Sequence, residues 1–74
     1  MKEDSHSDYF IGLGKRVQKL REQAGLDQKQ FAFEAGISRT QLHMIEKGET
    51  NPRLRTMLKI AAYLGVELHE LLRF

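Results

Sequence analysis

"QKQFAFEAGISRTQLHMIEKG", residues 28–48, decides how the rest of the chain is read. Counting Gln28 as the first position, Phe31 is fourth, Ala32 fifth, Gly36 ninth, Ile37 tenth, Leu42 fifteenth and Ile45 eighteenth. Two short helices crossing at a tight turn require that spacing. The alanine lets the helices approach, the glycine supplies left-handed backbone at the turn, and the apolar positions bury both helices against the rest of the domain. Between the inward Ile37, Leu42 and Ile45 stand Arg39, Thr40, Gln41, His43 and Met44. These are not the glutamates and lysines of a plain solvated face, which implies a neighbour other than water.

Working outward, Asp27 precedes Gln30 by three residues and Ser38 precedes Gln41 by three, the spacing of a capping box at each helix start. Gly36 closes the first of these helices and Gly48 the second. Upstream, Leu13, Val17, Leu20 and Ala24 form a helical stripe ended by Gly25, with Phe10 extending it backward past the weakening Gly12 and Gly14. Downstream, Glu49-Thr50-Asn51-Pro52 reads as a loop. Leu54, Leu58, Ala61 and Leu64 make a fourth stripe ended by Gly65, and Leu68, Leu71 and Leu72 a last short helix. No stretch alternates with period two. The expected fold is all-α, a compact five-helix bundle with a helix-turn-helix, as one domain over residues 9–74 after a flexible acidic tail over residues 1–8.

Composition narrows the function classes. A chain of 74 residues buries only about 60% of the surface its unfolded form exposes, so a partner subunit is an expected source of stability. Cysteine is absent, which removes disulfides and thiol chemistry and fits a reducing compartment. The polar start carries no apolar signal segment, and the longest apolar run, residues 60–66, is far too short for a bilayer, so a cytoplasmic protein off the membrane is expected. Residues 9–66 hold ten basic against five acidic side chains between two acidic ends, a distribution suited to a polyanion. Enzymatic readings lack parts: His6, His43 and His69 are scattered, no cysteine completes a zinc site, and no glycine-rich phosphate loop follows a strand. No catalytic residue, metal, cofactor or small-molecule ligand is expected.

The stretch from Leu13 to Leu72 resembles the Cro and lambda-repressor type of helix-turn-helix domain, also called the XRE family. The matching pieces are Leu-Arg-Glu-x-x-Gly-Leu from Leu20, Gln-x-x-Phe-Ala from Gln28, Gly-Ile-Ser from Gly36, Ile-Glu-Lys-Gly from Ile45, Asn51-Pro52, and Leu-Lys-Ile-Ala-x-x-Leu-Gly-Val from Leu58. The resemblance implies a five-helix bundle that binds operator DNA as a two-fold dimer. Asp27 and Arg53 depart from it, since serine or threonine caps are usual at both. The Ile-Ser-Arg-Thr start of the third helix is similar to the controller proteins of restriction-modification systems, small dimers that regulate their own promoter, although aspartate is usual where Ser38 stands. Phage Cro-like repressors fit nearly as well.

In a helix-turn-helix the N-terminal part of the second helix enters the major groove. Arg39, one residue past the cap, is the first candidate for base contact, because its fork matches guanine O6 and N7. Thr40 can meet a thymine methyl or a phosphate, Gln41 divides between capping and contact, and Met44 and His43 lie further along the same face. Gln28 and Ser38, at two helix N-termini, are candidate phosphate contacts. The resemblance adds Lys47, Asn51, Arg53 and Arg55 around the following loop as phosphate or minor-groove contacts, and pairs Arg21 with Glu46 as a structural ion pair. Val66, Leu68, Leu71, Leu72 and Phe74 crowd apolar area into the C-terminal end, with Val66, Leu68, Leu71 and Phe74 the expected dimer interface. The function expected is a sequence-specific transcriptional regulator, autoregulatory, binding a pseudo-palindromic operator in double-stranded DNA as a homodimer. The alternative is an antitoxin or other interaction module whose main partner is a protein.

Overall fold

The computed structural model describes residues 6–74. The described residues form five helices and no strand: α1 (Ser7–Gln23), α2 (Gln28–Ala35), α3 (Arg39–Glu46), α4 (Leu54–Leu64) and α5 (Leu68–Leu71). Helix α1 starts at Ser7, so residues 7 and 8 belong to it rather than to a tail. The remainder of the expected tail, residues 1–5, lies outside the described residues.

The core draws on every helix. Leu13 and Val17 of α1, Phe31, Ala32 and Ala35 of α2, Leu42 and Ile45 of α3, Ile60 and Ala61 of α4, and Leu71 of α5 are all buried. Around them pack the half-buried Leu20, Leu26, Ile37, Met57, Tyr63, Leu64, Val66 and Leu68. Phe31, fully buried, meets the Tyr63 ring edge-on at 5.2 Å between centroids, fastening α2 to α4.

Two sequence expectations fail for reasons of packing. The α4 stripe does not face inward along its length: Leu54 is 60% and Leu58 48% exposed, while Thr56, Ile60 and Ala61 are buried. Apolar residues line more than one side of α4, and only the neighbours it meets decide which side is core. Gly14 of α1, weak by propensity, is demanded by contact. A Cβ at Gly14 would fall on the backbone carbonyls of Ile45 and Glu46, so α1 crosses the end of α3 at a distance only glycine allows.

Helix ends follow the expected chemistry with one difference. Ser38 and Gln41 complete a capping box, Ser38 Oγ accepting from the Gln41 N–H at 3.0 Å and Gln41 Oε1 from the Ser38 N–H at 3.3 Å. At α2 only half of the box is made. Asp27 accepts from the Gln30 N–H at 2.8 Å, while the Gln30 side chain extends along the helix, its Nε2 donating to Glu34 at 3.2 Å.

Candidate nucleic-acid interface

The turn between α2 and α3 sets the angle at which α3 is shown to solvent. Gly36 adopts φ 82° and ψ 30°, and the Ile37 N–H reaches back to the Ala32 carbonyl at 3.0 Å, closing a Schellman turn. Lys59 of α4 donates to the Gly36 carbonyl at 3.3 Å, a tie to the turn that no local pattern announced. With Leu42 and Ile45 buried beneath it, α3 turns Arg39, Thr40, Gln41 and His43 outward, and Met44 is 38% exposed. Arg39, Thr40 and His43 share one open groove with Gln28. Its lining side chains are all polar or charged in type; the groove lies over the N-terminal ends of α2 and α3 and can receive an anionic backbone on their unpaired N–H groups. Met44 lies outside it, and the Gln41 oxygen is occupied by the capping box.

Beneath the groove a chain of side chains joins three helices. Arg21 of α1 grips Glu46 of α3 through Nε to Oε2 at 2.7 Å and Nη2 to Oε1 at 3.0 Å, and its Nη1 donates to the Leu26 carbonyl at 2.7 Å. Both residues are buried, and the Glu46 hydrogen bond, reinforced by its charge, raises the Arg21 pKa above its ordinary value against the opposing effect of burial. Gln28 Nε2 donates to the same Glu46 Oε1 at 2.9 Å. The sequence pointed to Gln28 as a phosphate ligand without this bond. One amide N–H is therefore committed inward, and the other, with the amide oxygen, remains for the groove.

The remaining candidates do not join that groove. Lys47, Asn51, Arg53 and Arg55 are exposed along the stretch that leaves α3 and enters α4. Arg53 occupies the N-cap of α4 without a side-chain cap bond. Asn51 lines a separate groove with His6, Ser7, Phe10 and Gly48. Ser38 is exposed at the α3 cap. Arg16 donates to the Glu70 carbonyl at 3.0 and 3.2 Å and ties α1 to α5.

At the C-terminal end Leu71 is fully buried in the core, which removes it from the residues available to an interface; α5 packs this side chain inward against the rest of the bundle. Val66 and Leu68 are half-buried, whereas Leu72 and Phe74 are exposed. A mostly apolar groove of Tyr9, Phe10, Leu13, Pro52, Met57, Leu72 and Phe74 opens here, with Asn51 also in its lining. Among the described residues no cluster of histidine and carboxylate side chains is arranged to hold a metal, and no helix is long and apolar enough to cross a membrane.

A helix-turn-helix family model matches residues 17–71. An uncharacterised HTH-type transcriptional regulator of Haemophilus influenzae is 40% identical over 62 residues, covering 84% of this chain and 63% of its own. The restriction-modification controller protein C.AhdI of Aeromonas hydrophila superposes with a TM-score of 0.86 at 34% identity, over 90% of this chain and 97% of that one. SinR, the master regulator for biofilm formation, in its complex with DNA, superposes with a TM-score of 0.78 at 32% identity, over 82% of this chain and 98% of that one. The chain spans less than two thirds of the length of the first curated relatives it matches.

Proposed function

Because the chain belongs to the helix-turn-helix family, as a DNA-binding domain of the transcriptional-regulator type, we propose that it regulates transcription by reading a pseudo-palindromic operator as a homodimer, α3 of each copy in the major groove. The observation that carries the reading is the groove in which Arg39, Thr40 and His43 of α3 stand together with Gln28 at the start of α2. Arg39 is the base-reading side chain, Thr40 its neighbour on a thymine or a phosphate, and Gln28 and Ser38 grip the backbone. Met44, His43 and Gln41 serve the same face. Lys47, Asn51, Arg53 and Arg55 supply phosphate or minor-groove contacts on the side of the α3–α4 loop.

Dimerisation engages the exposed apolar end, with Phe74 as its most prominent member and Val66 and Leu68 at its margin. Two recognition helices then lie about 34 Å apart. Likeness to a restriction-modification controller supports control of the chain's own promoter. Selection of bound sequences from a random DNA pool tests the whole reading: a two-fold motif with half-sites one helical turn apart is the expected result, and recovery of no motif would sink it. The exposed Leu54, Leu58, Leu72 and Phe74 favour one second reading, a module whose main partner is an unrelated protein such as a toxin. A stoichiometric complex with such a protein, recovered from native cytoplasm, would favour it.

A further inference from the structure

Gly12, Lys15, Arg16 and Lys19 stand at i, i+3, i+4 and i+7 on α1, the spacing by which a helix builds a buried stripe. Here that spacing carries cations, and Lys15 and Lys19 are exposed. The C-terminal segment lies beside it, so that Arg73 and Phe74 join these four residues around one open groove of about 320 Å³. Four of the chain's twelve lysine and arginine side chains line this groove, and no acidic side chain does.

Like charges gathered in this way repel, and the nearest carboxylates do not relieve them. Glu22, one turn beyond Lys19, is turned to Gln18 and Arg21, and Glu70 accepts from the Glu67 N–H. Among the described residues only Arg21 forms ion pairs. The groove is also fixed in part. Arg16 donates through Nε and Nη2 to the Glu70 carbonyl, which holds its guanidinium beside α5 and leaves Nη1 uncommitted. A Cβ at Gly12 would fall on the Phe74 ring, so one edge of that ring seats on bare helix backbone, while Phe74 as a whole stays 56% exposed.

We propose that this groove binds a nucleoside polyphosphate, with its phosphates among Lys15, Arg16, Lys19 and Arg73 and its base on the open side of Phe74. Each part of the ligand answers an observation. Uncompensated cations around a hollow call for a ligand with several negative charges, and the arginine forks suit phosphate oxygens. An exposed ring at the rim of the same hollow suits a base, which stacks on it whatever its identity. The volume is that of a small-molecule site. A duplex would offer its phosphates on a convex surface, whereas these cations surround a concave one. The groove shares no residue with the DNA-facing groove and only Phe74 with the apolar groove at the C-terminal end. It is therefore a site additional to operator binding and stands independently of it.

Titration of the full chain with ATP and with GTP, followed by calorimetry and by backbone amide resonances, tests the proposal. Saturable one-to-one binding is expected, with the amides of Gly12, Lys15, Lys19 and Arg73 moving along one isotherm. Tripolyphosphate, which lacks a base, should bind about tenfold more weakly. Lys15→Gln combined with Lys19→Gln should weaken ATP binding about tenfold or more and leave Tm and duplex affinity unchanged. Phe74→Leu should lower ATP affinity to that of tripolyphosphate without altering tripolyphosphate binding, a split that a general loss of folding or charge would not produce. Arg39→Ala should change neither. Absence of saturable binding overturns the proposal, as do ATP shifts confined to α3 and the start of α2, which would place the nucleotide on the DNA face. Equal affinity of wild type for ATP, tripolyphosphate and poly-glutamate would reduce the groove to an unselective cationic surface and overturn it too. A loss of duplex affinity in the lysine variant with ATP binding intact would give the cluster to DNA instead.

Discussion

Glu46 is the residue at which stability and recognition meet. One carboxylate holds Arg21 of α1 through two bonds and Gln28 of α2 through a third, while its own backbone carbonyl lies under Gly14. Glu46→Ala leaves the buried Arg21 without its partner and should cost about 3 to 5 kcal/mol in denaturant unfolding, whereas Arg21→Met combined with Glu46→Leu should recover much of that loss. Gly14→Ala forces α1 away from α3 and should cost about 1 to 3 kcal/mol by the same measurement. Arg39 belongs to the other side of the helix. Its removal should leave stability unchanged and lower discrimination between operator and random DNA by about 1 to 3 kcal/mol, read as the ratio of the two affinities. If Arg39→Ala weakened both equally, base readout by this residue would be wrong.

At the scale of elements, the recognition helix has only eight residues, too few to persist alone in water, and is held by its caps and its neighbours. Ser38→Ala removes the side-chain half of the capping box and should cost about 1 kcal/mol. The tie between α2 and α4 responds to pH. Tyr63 hydrogen-bonds Glu34, which lowers the carboxyl below its ordinary value and raises the phenol above its own. The lowered carboxyl contributes stability that is present above the ordinary carboxylate pKa and lost as pH falls through the lowered one. The raised phenol contributes stability that is present below the ordinary tyrosine pKa and lost as pH rises through the raised one. The small Tm difference between wild type and Tyr63→Phe should therefore be greatest near neutrality and shrink at both extremes. A difference that stays constant across the acid limb would assign it to packing on Phe31 alone.

For the whole molecule, apolar side chains left in water set the expectation of assembly. Leu54, Leu58, Leu72 and Phe74 are all exposed. If the C-terminal end forms the dimer, Leu72→Glu combined with Phe74→Glu should yield a folded monomer in sedimentation equilibrium, remove the concentration dependence of Tm, and weaken operator binding. A variant that remained dimeric would place the interface elsewhere.

Much of this was legible along the chain. The positions of Phe31, Ala32, Gly36, Ile37, Leu42 and Ile45 determined the two crossing helices, because turn geometry and helical period are local constraints written in residue type and spacing. They also determined which side of α3 faces outward, and with it Arg39 and Thr40 as candidate readers of DNA. Tertiary structure alone decided matters that depend on what lies opposite. It turned Leu54 and Leu58 of α4 to solvent, took Leu71 into the core, and made Gly14 a point of close approach. It also bound Gln28 to Glu46 and brought Arg73 and Phe74 beside the basic stripe of α1. No spacing rule could report these, since a side chain's period names the faces of its own helix, and only the packing of five helices together determines which of those faces is covered.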